Sequence, residues 1–267
     1  MTDKEPLIKW HKRDRANSTD TSSGDTGTPM IVWGRRSLES RLKMLAGIVK
    51  AEVLHDLEQN PTSNVISNTY SSPENFITKF SEVDPAGVEH KTPLSNFYPV
   101  KVTNEGREYP NLEAAYQGAK FLNVSQVPED AIVRVNEILK EKGLDERDER
   151  SVLGIFTDMS IDPIIQPKIA KRAAEILGDE KYGLLRKDWR DMNLELMMYL
   201  LLQKFRHPDL AEYLRSTGSK YIIEGSKFDG FYGVKMDNAG NLIDGKNILG
   251  RALMNIRGKL DKIQKLK

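Results

Sequence analysis

The stretch MNLELMMYLLLQKF, residues 192–205, is the most apolar helical segment of the chain, with large hydrophobic side chains on every side of the turn. A helix without a polar stripe belongs in an interior, so this segment predicts the central helix of the fold. His207-Pro208 ends it, because proline withdraws a backbone donor and clashes with the preceding turn. PDLAEYLRSTG, residues 208–218, then predicts a further helix closed by Gly218. With 267 residues the chain is long enough for one large domain with extensions or two modest domains.

Around that centre the chain reads as follows. Residues 36–58 place Leu38, Leu42, Leu45, Val49 and Val53 at helical spacing, with Leu57 next. Basic residues crowd the early polar face, which suits a membrane surface or a partner. Acidic residues share that face, however, so packing on the following domain is the stronger reading. Residues 14–29, DRANSTDTSSGDTGTP, are almost free of apolar side chains and predict disorder. Residues 59–75 read as a connecting segment. HKTPLSNFYPVKV and REYP predict strands about a turn at Asn104-Glu105-Gly106. Residues 129–150 predict a charged, solvated helical stretch, and 163–178 a helix stopped by Gly178. KYIIEG is a strand candidate, 225–247 a polar loop, and NILGRALMNIRGKL a last helix. No internal repeat is present. The expected class is mainly α, an α+β domain with few short strands.

Several functions are excluded or weakened. Cysteine is absent, which removes disulfides, thiolate zinc sites and a cysteine nucleophile. The four histidines, His11, His55, His90 and His207, are not at ligand spacing, and no metal is expected. A net charge of +1, from 40 basic and 39 acidic residues, gives no global pull toward nucleic acid or anionic lipid. The N-terminus shows no apolar signal region and no stretch is long enough to span a membrane, so the expectation is cytoplasmic. Asp25-Thr26-Gly27 spells an aspartic-protease triplet but lacks flanking strands and a second copy. The glycosylation patterns at Asn17 and Asn123 mean nothing without secretion.

Four clusters offer chemistry. In PNLEAAYQGAKFL, residues 110–122, Asn111 is the candidate N-cap, and Glu113, Gln117 and Lys120 share one face. A carboxylate in a first turn is favoured in its ionised form by the helix dipole and free N–H groups. It can stabilise a cation, act as a base, or attack carbon. Lys120 can meet phosphate, hold Glu113 ionised, or attack a sugar aldehyde. On spacing alone, a glutamate serving the dipole beside a solvated lysine is the better reading. LLRKDWRD, 184–191, sets Arg186 and Asp188 beside Trp189, which suits phosphate and base recognition as well as it suits an ordinary helix start. EGSKFDGFYGV, 224–234, carries two acids, Glu224 and Asp229, and aromatic walls, in residues that equally make turns. GKNILG, 245–250, is too degenerate for a phosphate loop, though Asn247 is a candidate N-cap where a small anion can sit.

In this order PLSNFYP, YPNLEAAYQGAKF, LRKDW, MMYLLLQKF, LRSTG…IIEGSKFDGFYG and GKNILGRALMNIR resemble the NADAR, or YbiA-like, family, from about residue 84 to 260. The resemblance implies a compact, mostly helical N-glycosidase domain over 84–262, preceded by a disordered tail, 1–30, and a helical extension of unknown role, 31–80. It implies cleavage of ribosides or ADP-ribosyl compounds without metal or cofactor. The family pattern E-H-x-Y-Q-x-x-K falls on Glu113, Tyr116, Gln117 and Lys120. S-N-F falls on Ser95, Asn96 and Phe97, R-x-D-W on Arg186, Asp188 and Trp189, and D-x-x-W-G on Asp229, Tyr232 and Gly233. Ala114 replaces the usual histidine, Tyr232 the common tryptophan, and Leu112 a small residue or valine. The implied catalytic groups are Glu113, Lys120 and Asp229. The implied substrate contacts are Asn96, Phe97, Gln117, Arg186, Trp189, Tyr232, Gly233 and Asn247. Two partners compete: a free ribosylamino-pyrimidine phosphate and ADP-ribosyl-guanine in nucleic acid. A module that binds nucleotide or ADP-ribose without cleaving it is the alternative, and a structural protein assembled through helix 36–58 is a third reading.

Overall fold

A computed structural model describes residues 37–62, 73–83 and 87–266. The predicted 1–30 tail, the 14–29 stretch and most of the 59–75 connection lie outside these residues.

Helix α1, Leu38–Gln59, starts where the Ser37 hydroxyl accepts the Ser40 N–H at 3.2 Å, leaving one orphan donor fewer. It buries Leu42, Leu45, Val49 and Val53 of the predicted stripe together with Ala46, and leaves Leu38 and Leu57 half-buried. After the short strands β1 (Phe76–Ile77), β2 (Ser81–Val83) and β3 (Glu89–Lys91) comes the predicted hairpin, β4 (Pro99–Asn104) and β5 (Arg107–Asn111). Its strands are antiparallel, with Asn104 opposite Arg107 across the Glu105–Gly106 turn. Helix α2, Leu112–Gly118, follows directly, because Asn111 both ends β5 and caps α2, its Oδ1 accepting the Ala114 N–H at 2.8 Å.

Helix α3 covers only Glu129–Glu141, not the whole predicted 129–150 stretch. The chain leaves it at Gly143 with φ 68°, a left-handed turn that glycine adopts without a Cβ clash. Helix α4 is Gln166–Leu177, with Gly178 as its C-cap. The central segment is α5, Trp189–Lys204, and its apolar residues from Met197 to Leu202 are all buried. It packs against α1, the β4–β5 hairpin and α2. Helix α6, Pro208–Ser216, then leads to β6, Tyr221–Ile222, which pairs in parallel with β1. The predicted 225–247 loop instead holds a small sheet: β7 (Gly225–Ser226), β8 (Val234–Met236) and β9 (Leu242–Gly245), in that order. Its strands are too short to leave a periodic signal in the sequence. Helices α7, Ile248–Arg257, and α8, Leu260–Gln264, close the domain. About half of the described residues are helical and the strands are several and short, so the class is a helix-rich α+β.

One buried cation ties α1 to this body. Arg251, 2% exposed, donates to Asp56, to the Asn60 carbonyl at 2.6 Å, to Thr62 Oγ1 at 3.2 Å and to the Lys246 carbonyl at 3.0 Å. Removing the guanidinium leaves these acceptors unpaired and a cavity behind. Arg251→Ala is therefore expected to lower folding stability by about 3 kcal/mol, read as a reduced urea midpoint. A midpoint equal to that of the unaltered protein contradicts this account of the α1 anchor.

Candidate active site

A cleft of about 450 Å³ opens between α2, α4, the 92–98 turn and the small sheet, with Met197 of α5 at its floor. Each wall has a local cause. The 92–98 turn is bound to α2 because the Glu113 N–H donates to the Asn96 carbonyl at 3.1 Å. From below, Lys204 Nζ donates to the Ser95 carbonyl at 2.5 Å and lies 5.5 Å from the centre of the Tyr98 ring. Lys204 is fully buried, and burial pushes its amine down to about 7. On the far wall, Asn247 stands at the N-cap position of α7 in a left-handed conformation, φ 51°, without making the cap bond. Its amide accepts the Glu224 N–H at 3.0 Å and donates to the Ile222 carbonyl at 2.8 Å. A Cβ at Gly233 would sit 2.5 Å from the Glu224 carbonyl oxygen, so only glycine allows the two backbones this approach.

Six of the expected residues line the cleft: Asn96, Phe97, Glu113, Gln117, Asp229 and Tyr232. Glu113 is 7% exposed, and its Oε1 accepts from Gln117 Nε2 at 2.7 Å. Its pKa is raised, first by burial. Gln117, Lys171 and Lys120 oppose that shift, while Asp229 adds to it. The helix-dipole expectation therefore fails in direction: loss of water outweighs the first-turn position. Gln117 Oε1 and Asn96 Oδ1 are buried without a hydrogen-bond partner among the described residues. Asp229 Oδ1 accepts the N–H groups of Phe231 at 2.8 Å and Tyr232 at 3.0 Å, which shapes the turn. Tyr232 meets Tyr116 hydroxyl to hydroxyl at 2.9 Å, and burial raises the pKa of both.

Five expected residues lie elsewhere. Helix α2 stops at Gly118, so Lys120 falls in a 3-10 turn, Ala119–Phe121, and leaves the Glu113–Gln117 stripe. Its Nζ lies 5.5 Å from the Trp189 ring and 5.8 Å from the Tyr116 ring, and burial lowers its pKa. Trp189 packs edge-on behind Tyr116, centroids 4.9 Å apart, and backs the wall without lining it. Arg186 is forked onto Asp188 at 2.6 and 2.8 Å and reaches the Ala119 carbonyl at 3.4 Å, so its guanidinium ties the α5 start to α2. Asp188 sits at the N-cap position without making the cap bond. Gly233 and Asn247 hold the wall through backbone and buried amide, as above. Ala114 is fully buried away from the cleft.

Among the lining residues that were not expected are Glu224, Lys91 and Lys171. Glu224 was visible as one of two acids at the head of a loop, but nothing in the sequence turns it inward. Burial first, then Asp229 and Glu113, raise its carboxyl to about 7, against Lys91 and Lys171. Lys171 lies on the exposed face of α4, where a lysine carries no distinguishing signal. Among the described residues no group of His, Asp and Glu is placed to hold a metal ion.

The NADAR domain family matches residues 79–261. The chain belongs to the NADAR family. It is 33% identical over 104 residues to an N-glycosidase of Nostoc punctiforme, covering 39% of this chain and 64% of that protein. It is 29% identical over 168 residues to a riboflavin biosynthesis protein of Vibrio vulnificus, covering 62% of this chain and 35% of that protein. It thus spans less than two thirds of the first relative and about a third of the second. The NMR structure of Escherichia coli YbiA is 23% identical, covers 70% of this chain and 85% of its own, and superposes with a TM-score of 0.43, too low to carry a conclusion. No helix among the described residues is long and apolar enough to cross a membrane.

The Glu224 carboxyl keeps its proton in the fold at pH values where the unfolded chain, with a carboxyl near 4.5, has lost it. Its contribution therefore favours folding below about pH 4.5 and disappears as pH rises through about 7. Glu224→Gln, which never charges, is expected to gain stability over the unaltered protein between pH 5 and pH 8 in paired urea titrations. A difference that stays flat across that range contradicts the burial account.

Proposed function

We propose that this chain is an N-glycosidase that hydrolyses the C–N bond between a ribose and a base, in a ribosylamino-pyrimidine phosphate or an ADP-ribosylated guanine. The observation that carries the proposal is the Glu113 carboxyl. It is buried, oriented by Gln117, and faces a cleft walled by Phe97 and Tyr232 and edged by Lys91 and Lys171. The names of the two relatives, N-glycosidase and riboflavin biosynthesis protein, support it.

As the glycosidic bond loosens, C1′ gains cationic character, and a carboxylate beside it lowers the barrier. Glu113 supplies that charge and takes the proton of the attacking water. Its raised pKa makes it a better base near neutral pH than an exposed glutamate. Gln117 Oε1 and Asn96 Oδ1, unpartnered among the described residues, accept from sugar hydroxyls, and Asp229 orients the ribose from the loop. Phe97 and Tyr232 stack on the flat base. Lys91 and Lys171 meet phosphate. Lys120 acts at a distance, holding Glu113 toward its charged form. The chain acts in the cytoplasm on this proposal.

Incubation with each substrate class, followed by chromatography for released base, is the test. Glu113→Gln is expected to keep the native unfolding temperature and lose base release by about a thousandfold or more. Unchanged turnover in that variant removes Glu113 from the mechanism. Tight binding of both substrates without release by the unaltered chain would make the protein a binding module instead.

A further inference from the structure

The cleft holds four carboxyls; Glu89 is ion-paired with Lys91 at 2.8 Å, and the roles proposed for Glu113 and Asp229 leave Glu224 without one. Glu224 follows β6 at the back wall. Its backbone is fixed from three sides. The N–H donates to Asn247 Oδ1 at 3.0 Å, the carbonyl accepts the Val234 N–H at 2.7 Å, and Gly233 packs so closely that an added Cβ would lie 3.2 Å from the Glu224 Cγ. Its side chain is left unpartnered: among the described residues no hydrogen bond or ion pair reaches the carboxyl. Glu113 accepts from Gln117, and Asp229 accepts two turn N–H groups. Burial favours the protonated form of both Glu113 and Glu224, and of the two only Glu113 has a side-chain donor working against it.

The charged groups facing Glu224 fit that division. Asp229 on its loop and Glu113 on α2 disfavour a further negative charge. Lys91 on β3 and Lys171 on α4 oppose them. Lys204, on α5, also feels Glu224, but its Nζ is engaged with the Ser95 carbonyl. Two acids in one cleft whose surroundings differ in this way separate into a proton donor and a proton acceptor.

We propose that Glu224 is the general acid of the reaction, protonating the departing base nitrogen while Glu113 deprotonates water, and that Asn247 and Gly233 are its positioning residues. The proposal rests on the N-glycosidase reading. The C1′–N bond breaks with its electron pair going to nitrogen, which takes the Glu224 proton. Water oxygen bonds to C1′ and gives its proton to Glu113. Solvent then removes that proton and reprotonates Glu224, so the site returns unchanged. The carboxyl pushed up to about 7 is protonated in a useful fraction at neutral pH.

The test measures kcat across pH for the unaltered chain, Glu224→Gln and Glu224→Asp, on whichever neutral-base riboside the unaltered chain cleaves. Glu224→Gln is expected to fold, to lose about a hundredfold or more in kcat, and to lose the alkaline fall of the profile near pH 7; Glu224→Asp recovers part of the rate with a displaced limb. A Gln variant within threefold of the unaltered chain, or one keeping the alkaline limb, overturns the proposal while leaving the glycosidase reading intact. No release by the unaltered chain from either substrate class overturns both. Should Glu224→Gln not fold, carbon-13 titration of glutamate-labelled Glu113→Gln decides. A carboxyl midpoint near 7 supports the assignment, and ordinary midpoints throughout overturn it.

Discussion

A helix with apolar side chains on every side has to be enclosed, and α5 meets that demand by drawing α1, the β4–β5 hairpin and α2 around itself. The enclosure also builds the cleft. Met197 becomes its floor, and Lys204, carried inward at the last turn of α5, fixes the 92–98 turn through the Ser95 carbonyl. That turn receives the Glu113 N–H, so the depth at which the glutamate sits is set by packing around α5.

Depth then governs the chemistry. Carboxyls and amides that would be solvated on a surface are here held in little water. Glu113 and Glu224 keep protons longer, and Gln117 and Asn96 carry oxygens without partners among the described residues. Each such group works against folding, and the Arg251 anchor and the wrapped core offset that cost. Unpartnered polar groups and raised carboxyl pKa values concentrated in one cleft mark it as the candidate ligand site.

Much of the site was legible because short-range rules carry it. Asn111 caps α2 as its side chain predicts, and Glu113 and Gln117, four apart, share a face and a hydrogen bond. Lys120 escaped that rule because α2 tightens into a 3-10 turn after Gly118 and rotates the lysine toward Trp189. Arg186 was read as a phosphate contact, but the structure gives it a partner two residues away in Asp188. Asn247, expected among the substrate contacts, is buried and bridges Ile222 and Glu224.

The sequence by itself determined the central helix, the hairpin turn, the Asn111 cap and the family. Those depend on side-chain period, backbone preference and the order of motifs along the chain. Tertiary structure alone decided which acids meet. Glu113 comes from α2 and Glu224 from the segment after β6, with Lys171 on α4 between them in sequence and Lys91 on β3 ahead of both. Their protonation depends on mutual distance and on exclusion of water, which no local pattern encodes.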